Sequence, residues 1–316
     1  MEVILLLKIN IRIMVTTNLT GNLGNHMWQY SVCRVVAEKL GYEWGVNPSP
    51  THDYHRGMNQ MYFMDVDFGI FPEGDFNDFH EKWLTYKHVD DVNITMLDKR
   101  VYEIPDWTRL IGDNGAFGGI YQSEDYLIDR KKDIVEWFKI KDVYKNEYDK
   151  KLIDLGITLD ENTCVINFRG GEYKSIPNVI LRKEYWKNSV EHIKNINPNM
   201  NFIVITDDPN TANRYIPYGF KTFHVDIGFD FYVVNNAKNL IISNSTFGWW
   251  AAWLNTKCNI TIAPKYWARH NVSDGYWATG DSYTRGFTYM DREGKLSLYD
   301  ECKTEAIKYY KQKGIL

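Results

Sequence analysis

Short apolar runs alternate with amphipathic segments throughout the second half of the chain. The runs TCVINF, NFIVIT, KTFHV, LIIS and NITIA are typical of buried strands, because each is short and rich in β-branched or aromatic side chains. The segments between them have helical spacing and predict helices over residues 182–196, 209–216, 231–239 and 247–254. Strands that alternate with helices predict a parallel sheet covered by helices on both faces.

The beginning of the chain has the same order of elements in a weaker form. Residues 9–16 predict a buried first strand, and Gly21 follows it as a chain break. Apolar positions then recur at helical spacing, with Asn25 as the expected N-cap and Gly41 as the expected stop. This part of the sequence therefore predicts a strand, a glycine turn and a helix.

The remaining pattern sets the domain organisation. Residues 48–113 sustain no period and predict loops with short strands, whereas an extended entry at residues 120–121 leads into a charged helix and 143–155 predicts another. A chain of 316 residues is long enough for two domains with separate cores. We expect one Rossmann-like domain over 1–157 and a second over 158–298, with the boundary near residues 156–160. The last segment, 299–316, is predicted to be helical over 299–313 and to pack back on the first domain.

The segment IISNSTFGWWAAWL, residues 241–254, is the most informative stretch of candidate chemistry. A strand breaks there into small hydroxyl residues and restarts as a helix, so backbone N–H groups and the helix dipole converge on one point. This junction predicts a phosphate site. The alternative is that Ser245 or Thr246 only caps the helix. The tryptophans that follow, Trp249, Trp250 and Trp253, have the spacing of core residues.

Two other predicted strands end in polar groups. Arg169 follows VINF and precedes Gly170 and Gly171, which would let the backbone approach a ligand closely; a guanidinium binds phosphate in a bidentate manner, although a surface ion pair is the alternative. Asp207 and Asp208 follow IVIT and could accept hydrogen bonds from a ribose or a guanine, or cap the next helix. Because ligands bind at the carboxyl ends of parallel strands, the three strand ends together predict a nucleoside diphosphate site.

Composition narrows the choice of partner. A net charge of −4 and a pI near 6.1 give no basic footprint, so extended nucleic-acid binding is not expected. The four cysteines are scattered without a CxxC or Cys/His cluster, which predicts reduced thiols, a cytoplasmic location and no metal site. The apolar opening is interrupted by Lys8 and Arg12, so we expect no membrane association beyond a peripheral one, with a signal anchor as the alternative.

Five motifs in fixed order resemble those of the family 11 glycosyltransferases, the α-1,2-fucosyltransferases, and more distantly those of α-1,6- and protein O-fucosyltransferases. They are GNLGNHMWQY, GGIYQSEDY, VINFRGGEY, ITDDP and SNSTFGWWAAWLN, and the match runs from about residue 16 to residue 264. The resemblance implies a GT-B fold, in which two Rossmann-like, doubly wound domains face each other across a cleft. It also implies a GDP-fucose donor, inversion at the sugar carbon and no required metal or other cofactor.

The resemblance also assigns residues. Arg169 stands at the phosphate-binding arginine, Ser245 to Phe247 at the diphosphate-binding turn, and Asn25 in the loop that faces the donor. Taken together, the strand ends and the resemblance give the expected donor-binding residues, which are Gly24, Asn25, Arg169, Asp207, Asp208, Asn244, Ser245, Thr246 and Phe247. The expected catalytic residues are Arg169 and Asn25, and Glu172 by its residue type and region.

The chain departs from the family pattern at four positions. Asn167 replaces a histidine, Gly170 a second arginine, Glu172 an aspartate and His26 a glutamine. Loss of one arginine removes a cation near the donor, so both the sugar and the nucleobase stay open. A base must take the proton of the acceptor hydroxyl. The candidates by residue type and region are Glu172, Asp53, His26 and His55.

The sequence therefore predicts an inverting glycosyltransferase that moves fucose from GDP-fucose to a hydroxyl of an oligosaccharide or other glycan. The first domain would bind the acceptor and the second the nucleotide. One alternative is the same fold with another activated sugar, such as rhamnose or L-galactose. An alternative of another class is a nucleotide- or glycan-binding protein without turnover.

Overall fold

The computed structural model describes residues 14–47, 60–71, 77–80, 83–85, 98–100, 115–118, 121–271 and 283–312. The candidate bases Asp53 and His55 lie outside these residues, as do the start of the predicted first strand and most of residues 48–113.

The first half contributes a small parallel sheet. Its elements are β1 Met14–Asn18, α1 Leu23–Leu40, β2 Glu43–Asn47, β3 Asn77–His80, β4 Trp83–Thr85, β5 Asp98–Arg100 and β6 Gly115–Gly118. Four strands form a parallel sheet in the order β2-β1-β6-β3, and β4 pairs with β5 in an antiparallel ribbon. The predicted strand, glycine turn and helix at the start are present.

Helix α1 begins earlier than the sequence predicted. Gly21 takes a left-handed φ of 80°, so the helix starts at Leu23 with Asn22 in the N-cap position. Asn25 therefore lies in the first turn, and its prediction as the N-cap was wrong. The predicted stop is confirmed, because Gly41 ends the helix with a φ of 70°.

The second half alternates strands and helices as predicted. Its elements are α2 Lys131–Trp137, α3 Asp142–Leu155, β7 Thr163–Phe168, α4 Lys183–Ile196, β8 Asn201–Thr206, α5 Pro209–Tyr215, β9 Lys221–Phe223, α6 Ile227–Asn236, β10 Asn239–Ile242, α7 Thr246–Trp253, β11 Ile260–Pro264, β12 Thr288–Met290, β13 Leu296–Ser297 and α8 Tyr299–Gln312.

Two predicted helix starts in this half need correction. The charged helix after residue 121 starts as two 3-10 turns, the first capped by Ser123. Helix α6 begins four residues early, because the Asp226 side chain accepts from the Gly228 and Phe229 N–H groups.

The larger sheet confirms the α/β class. Its seven strands run in the order β9-β8-β7-β10-β11-β12-β13, and every pair is parallel except β12 with β13. Chain order reverses between β7 and β10, so the carboxyl ends of these two strands open a crevice.

The packing joins the two sheets at this crevice. The Trp28 ring of α1 lies 4.2 Å from that of Trp249 and 4.9 Å from that of Trp250, and one apolar cluster runs through both halves. Trp249, Trp250 and Trp253 are buried, which confirms their prediction as core residues. The core thereby sets the first turn of α1 directly against the first turn of α7.

The end of the chain lies against earlier segments. Cys302 and Ala306 of α8 are buried, and Lys303 donates to the Asp125 carboxylate at 3.2 Å. All four cysteines are unpaired. In the described parts of the chain, no helix is both long and apolar enough to cross a membrane.

Candidate active site

A cavity of about 640 Å³ opens over the crevice between β7 and β10. The first turn of α1 and Gln122 line one side, and the segments that follow β7, β8, β9, β10 and β11 line the other. Its volume lies within the usual range for small-molecule sites. All three strand ends that the sequence selected therefore reach one cavity.

The turn after β10 leaves helix α7 open at its N-terminus. Ser245 is the N-cap residue in an extended conformation, and its side chain makes no capping hydrogen bond. The alternative interpretation, a serine that only caps the helix, is thus not supported. Asn244 is buried and donates from Nδ2 to the Val179 carbonyl at 2.9 Å, which fixes the turn. The first backbone N–H groups of α7 have no partner within the helix, and the residues of this turn, Ser245 to Phe247, line the cavity.

The first half approaches this turn more closely than any side chain would permit. A Cβ placed on Gly24 would lie 2.5 Å from both the carbonyl carbon and Oγ1 of Thr246. Next to it, the Asn25 Oδ1 atom accepts from Thr246 Oγ1 at 3.2 Å and from Gln122 Nε2 at 3.3 Å. Three separate segments therefore meet at Asn25, and Gln122 is a cavity residue to which the sequence assigned no role, although it lies in the GGIYQSEDY motif.

Arg169 is positioned by two carboxylates. Its Nη1 pairs with Asp207 and its Nη2 donates to Glu172 at 2.9 Å, while Asp207 also accepts from the Gly170 N–H at 2.7 Å. Burial opposes the charged form, but the two carboxylates raise the pKa of Arg169, so the guanidinium stays protonated. The Glu172 side chain is 52% exposed, whereas that of Asp207 is 27% exposed. Glu172 is therefore the partner that moves more easily.

The two adjacent aspartates have different positions. Asp207 lines the cavity, whereas Asp208 does not. Asp208 caps α5 by accepting from the Thr211 N–H at 3.0 Å and pairs with Lys174 at 2.9 Å. A Cβ on Gly170 would lie 2.7 Å from the Asp208 Cβ, so the backbone leaves little room for the arginine that the family pattern has at this position.

His224 and Asp230 form a pair that the sequence did not reveal. His224 Nδ1 lies 2.7 Å from Asp230 Oδ2, and both residues line the cavity beyond the end of β9. The hydrogen bond to Asp230 raises the pKa of His224, and burial raises the pKa of Asp230. A histidine after an edge strand looks like any surface histidine in a sequence, so only the fold could show this pair.

With this geometry in place, similarity to known proteins decides the family. Residues 100–291 match the sequence model of the protein family described as Glycosyl transferase family 11. The chain belongs to glycosyl transferase family 11. It is accordingly a glycosyltransferase of a fucosyltransferase-like family.

Two relatives of this family 11 chain come from Escherichia coli. The O-antigen biosynthesis glycosyltransferase WbnK is 25% identical over 298 residues, which cover 80% of this chain and 94% of the relative. An alpha-1,2-colitosyltransferase is 25% identical over 283 residues, which cover 80% and 92%. Among solved structures, the fucosyltransferase NodZ from Bradyrhizobium matches with a TM-score of 0.46 at 10% identity, over 90% of this chain and 98% of that one.

Of the two candidate bases among the described residues, Glu172 and His26, one lines the cavity and the other is buried away from it. Glu172 lines the cavity. His26 does not line it; the side chain is 1% exposed, its Nε2 has no hydrogen-bond partner among the described residues, and burial lowers its pKa to about 4. Within the described residues, no group of three or more His, Cys, Asp or Glu side chains could hold a metal ion.

Proposed function

We propose that this family 11 glycosyltransferase moves fucose from GDP-fucose to a glycan hydroxyl, forming an α-1,2 linkage with inversion and without a metal. The observation that carries the proposal is one cavity shared by Arg169 and the open N-terminus of α7, at the point where strand order reverses. A nucleoside diphosphate fits this combination of a fixed cation and a helix dipole.

The diphosphate would replace a carboxylate on Arg169. The guanidinium is held by Asp207 on its buried side and by the half-exposed Glu172 on the other. Rotation of Glu172 away would free the Nη2 donor of Arg169 for the β-phosphate, and the first N–H groups of α7 would donate to the same phosphate. Because negative charge grows on the leaving diphosphate, these preoriented donors bind the transition state more tightly than the ground state.

Glu172, once free, is the proposed base. The acceptor oxygen attacks C1 of the sugar, the bond from C1 to the phosphate oxygen breaks with its electron pair, and the acceptor proton passes to Glu172. Asn25 would orient the β-phosphate from the opposite side by donating from Nδ2, because its Oδ1 already accepts from Thr246 and Gln122. The same movement of Glu172 thus opens the phosphate site and supplies the base.

The nucleoside would occupy the end of the cavity near β8 and β9. Asp207, Asp230 and His224 lie there, and carboxylates accept hydrogen bonds from the N1–H and N2–H groups of a guanine. In this proposal Asp208 does not contact the donor. It caps α5 and thereby holds the segment that also carries Asp207.

The two sheets support a GT-B arrangement. Residues 1–157 would be the acceptor-side domain, 158–298 the nucleotide domain, and 299–316 a closing segment that contacts the first through Lys303. The E. coli alpha-1,2-colitosyltransferase supports the α-1,2 linkage. The unpaired cysteines favour a cytoplasmic site of action.

Release of GDP is the direct test. The protein is incubated with GDP-fucose and a panel of glycans, with and without EDTA, and the anomeric configuration of the product is determined by NMR. We expect GDP release that depends on an acceptor, survives EDTA and yields the inverted anomer. Loss of turnover in EDTA would contradict metal independence, and consumption of UDP- or dTDP-sugars alone would contradict the donor.

A further inference from the structure

We infer that Ile176, Val179 and Trp267 form an apolar subsite for the C6 methyl group of a 6-deoxyhexose donor. The inference rests on the proposed function, because it places the sugar next to a diphosphate bound at α7. It assigns the choice between fucose and its 6-hydroxylated counterpart, L-galactose, to three side chains.

The order of the strands gives the cavity a direction. It runs from the end of β9 to the segment after β11, which is four strand spacings, or roughly 19 Å. The polar pair His224 and Asp230 marks one end, and the proposed diphosphate site lies in the middle at β7 and β10. The sugar that follows the diphosphate therefore extends toward β11, where Trp267 lies.

Hydrogen bonds join this apolar wall to the diphosphate turn. Asn244, in the turn itself, donates to the Val179 carbonyl at 2.9 Å. Asn271, which follows the 3-10 helix Trp267–Arg269, donates to the Pro177 carbonyl at 3.1 Å and also to that of Ile180. The segment that carries Ile176 and Val179 is thus fixed on one side to the phosphate turn and on the other to the Trp267 turn.

Two features of the wall indicate a binding surface and not ordinary packing. Ile176 leaves 44% of its surface exposed although it borders a cavity lined by strongly polar groups. Trp267 has a left-handed φ of 46°, a conformation that costs free energy for a bulky residue and persists where surrounding contacts enforce it. Strained residues of this kind cluster at ligand sites.

The chemistry of the two sugars supplies the discrimination. L-Fucose and L-galactose differ only at C6, which carries a methyl group in the first and a hydroxymethyl group in the second. Against aliphatic and indole surfaces the added hydroxyl loses its water without gaining a partner. An apolar pocket rejects such an analogue by about tenfold to a hundredfold.

Binding measurements test the subsite without a known acceptor. Calorimetry gives the Kd of GDP, GDP-fucose and GDP-L-galactose for the wild type and for Ile176→Thr, which keeps the β-branched shape and adds a hydroxyl. Ile196→Thr is the matched control, because Ile196 is 61% exposed on α4 and does not line the cavity. Trp267→Gly is the second variant, since glycine accepts the left-handed backbone.

We expect the wild type to prefer GDP-fucose by about tenfold or more. Ile176→Thr should reduce that ratio at least about fivefold, the equivalent of one hydrogen bond, and should leave the Kd of GDP unchanged. The control Ile196→Thr should change neither value. Trp267→Gly should weaken the binding of both GDP-sugars but not that of GDP. If GDP binds normally and the ratio is near one, or is equal in wild type and Ile176→Thr, the subsite is refuted while the diphosphate site stands. Failure of GDP itself to bind would refute the proposed function and the subsite with it.

Discussion

Gly24 tests the close approach between the two halves of the site. A Cβ at this position would lie 2.5 Å from the Thr246 carbonyl carbon and Oγ1, whereas ordinary contacts are about 3.5 Å. Gly24→Ala therefore forces the first turn of α1 about 1 Å away from α7. That shift breaks the 3.2 Å hydrogen bond between Thr246 and Asn25 and disturbs the packing of Trp28 on Trp249.

The sign of the stability change is diagnostic. In a helix without such a contact, Gly→Ala would raise the free energy of unfolding by about 1 kcal/mol. Overpacking against Thr246 should instead lower it by about 1–3 kcal/mol. The affinity for GDP should fall about fivefold, because the displaced Asn25 would lose its proposed hydrogen bond to the β-phosphate.

Urea unfolding followed by tryptophan fluorescence measures the first effect, and calorimetric titration with GDP measures the second. Ser31→Ala serves as the control, since Ser31 lies two turns further along the same helix and does not line the cavity. An increase in stability with unchanged GDP affinity in Gly24→Ala would refute the close approach.

Two further predictions concern residues near the cavity that do not line it. Burial lowers the pKa of His26 to about 4 in the folded protein. Between pH 6.5 and 4 this side chain is therefore protonated in the unfolded chain but not in the folded one. The wild type loses stability as the pH falls through this window. His26→Gln should therefore gain about 2 kcal/mol relative to wild type between pH 7.5 and pH 5 in urea unfolding; a difference independent of pH would contradict the buried neutral imidazole. Asp208→Ala should lower stability by about 1 kcal/mol through loss of the α5 cap but leave the Kd of GDP unchanged, and a loss of GDP affinity without a loss of stability would place Asp208 in the donor site.

The sequence predicted the second half of the fold well because its strands are short runs of mainly apolar residues. β7 and β8 match the runs TCVINF and NFIVIT residue for residue, since strands buried on both faces are near-continuous apolar runs, and Asn167 is the one polar side chain between the ends of β7. The start of α6 was missed because Gly228, a residue that disfavours helix, follows almost directly after the Asp226 cap. Boundaries depend on single side-chain hydrogen bonds, which periodicity does not report.

The candidate site was predicted at its strand ends and missed elsewhere. Arg169 and Ser245 follow buried strands, and the fold brings such positions together by topology alone. His224 enters the cavity from an edge strand, where no pattern distinguishes a ligand-facing side chain from a solvated one. Gln122 lies in the GGIYQSEDY motif, but the motif alone did not show which of its side chains would face the cavity. Asp207 and Asp208 were equivalent in the sequence, and only the direction of the chain after β8 separated them.

The most direct test of the account is a calorimetric titration with GDP on wild type and Arg169→Ala, with Lys174→Ala as the control. Lys174 is 52% exposed, pairs with Asp208 and does not line the cavity, so the control removes a nearby positive charge without touching the proposed site. We predict that GDP binds the wild type and the control alike and that Arg169→Ala weakens binding about tenfold to a hundredfold, the equivalent of about 1.5–3 kcal/mol for a hydrogen bond to a charged group. Equal affinity in wild type and Arg169→Ala, or no binding of GDP to either, would contradict the assignment of the cavity as a nucleoside diphosphate site.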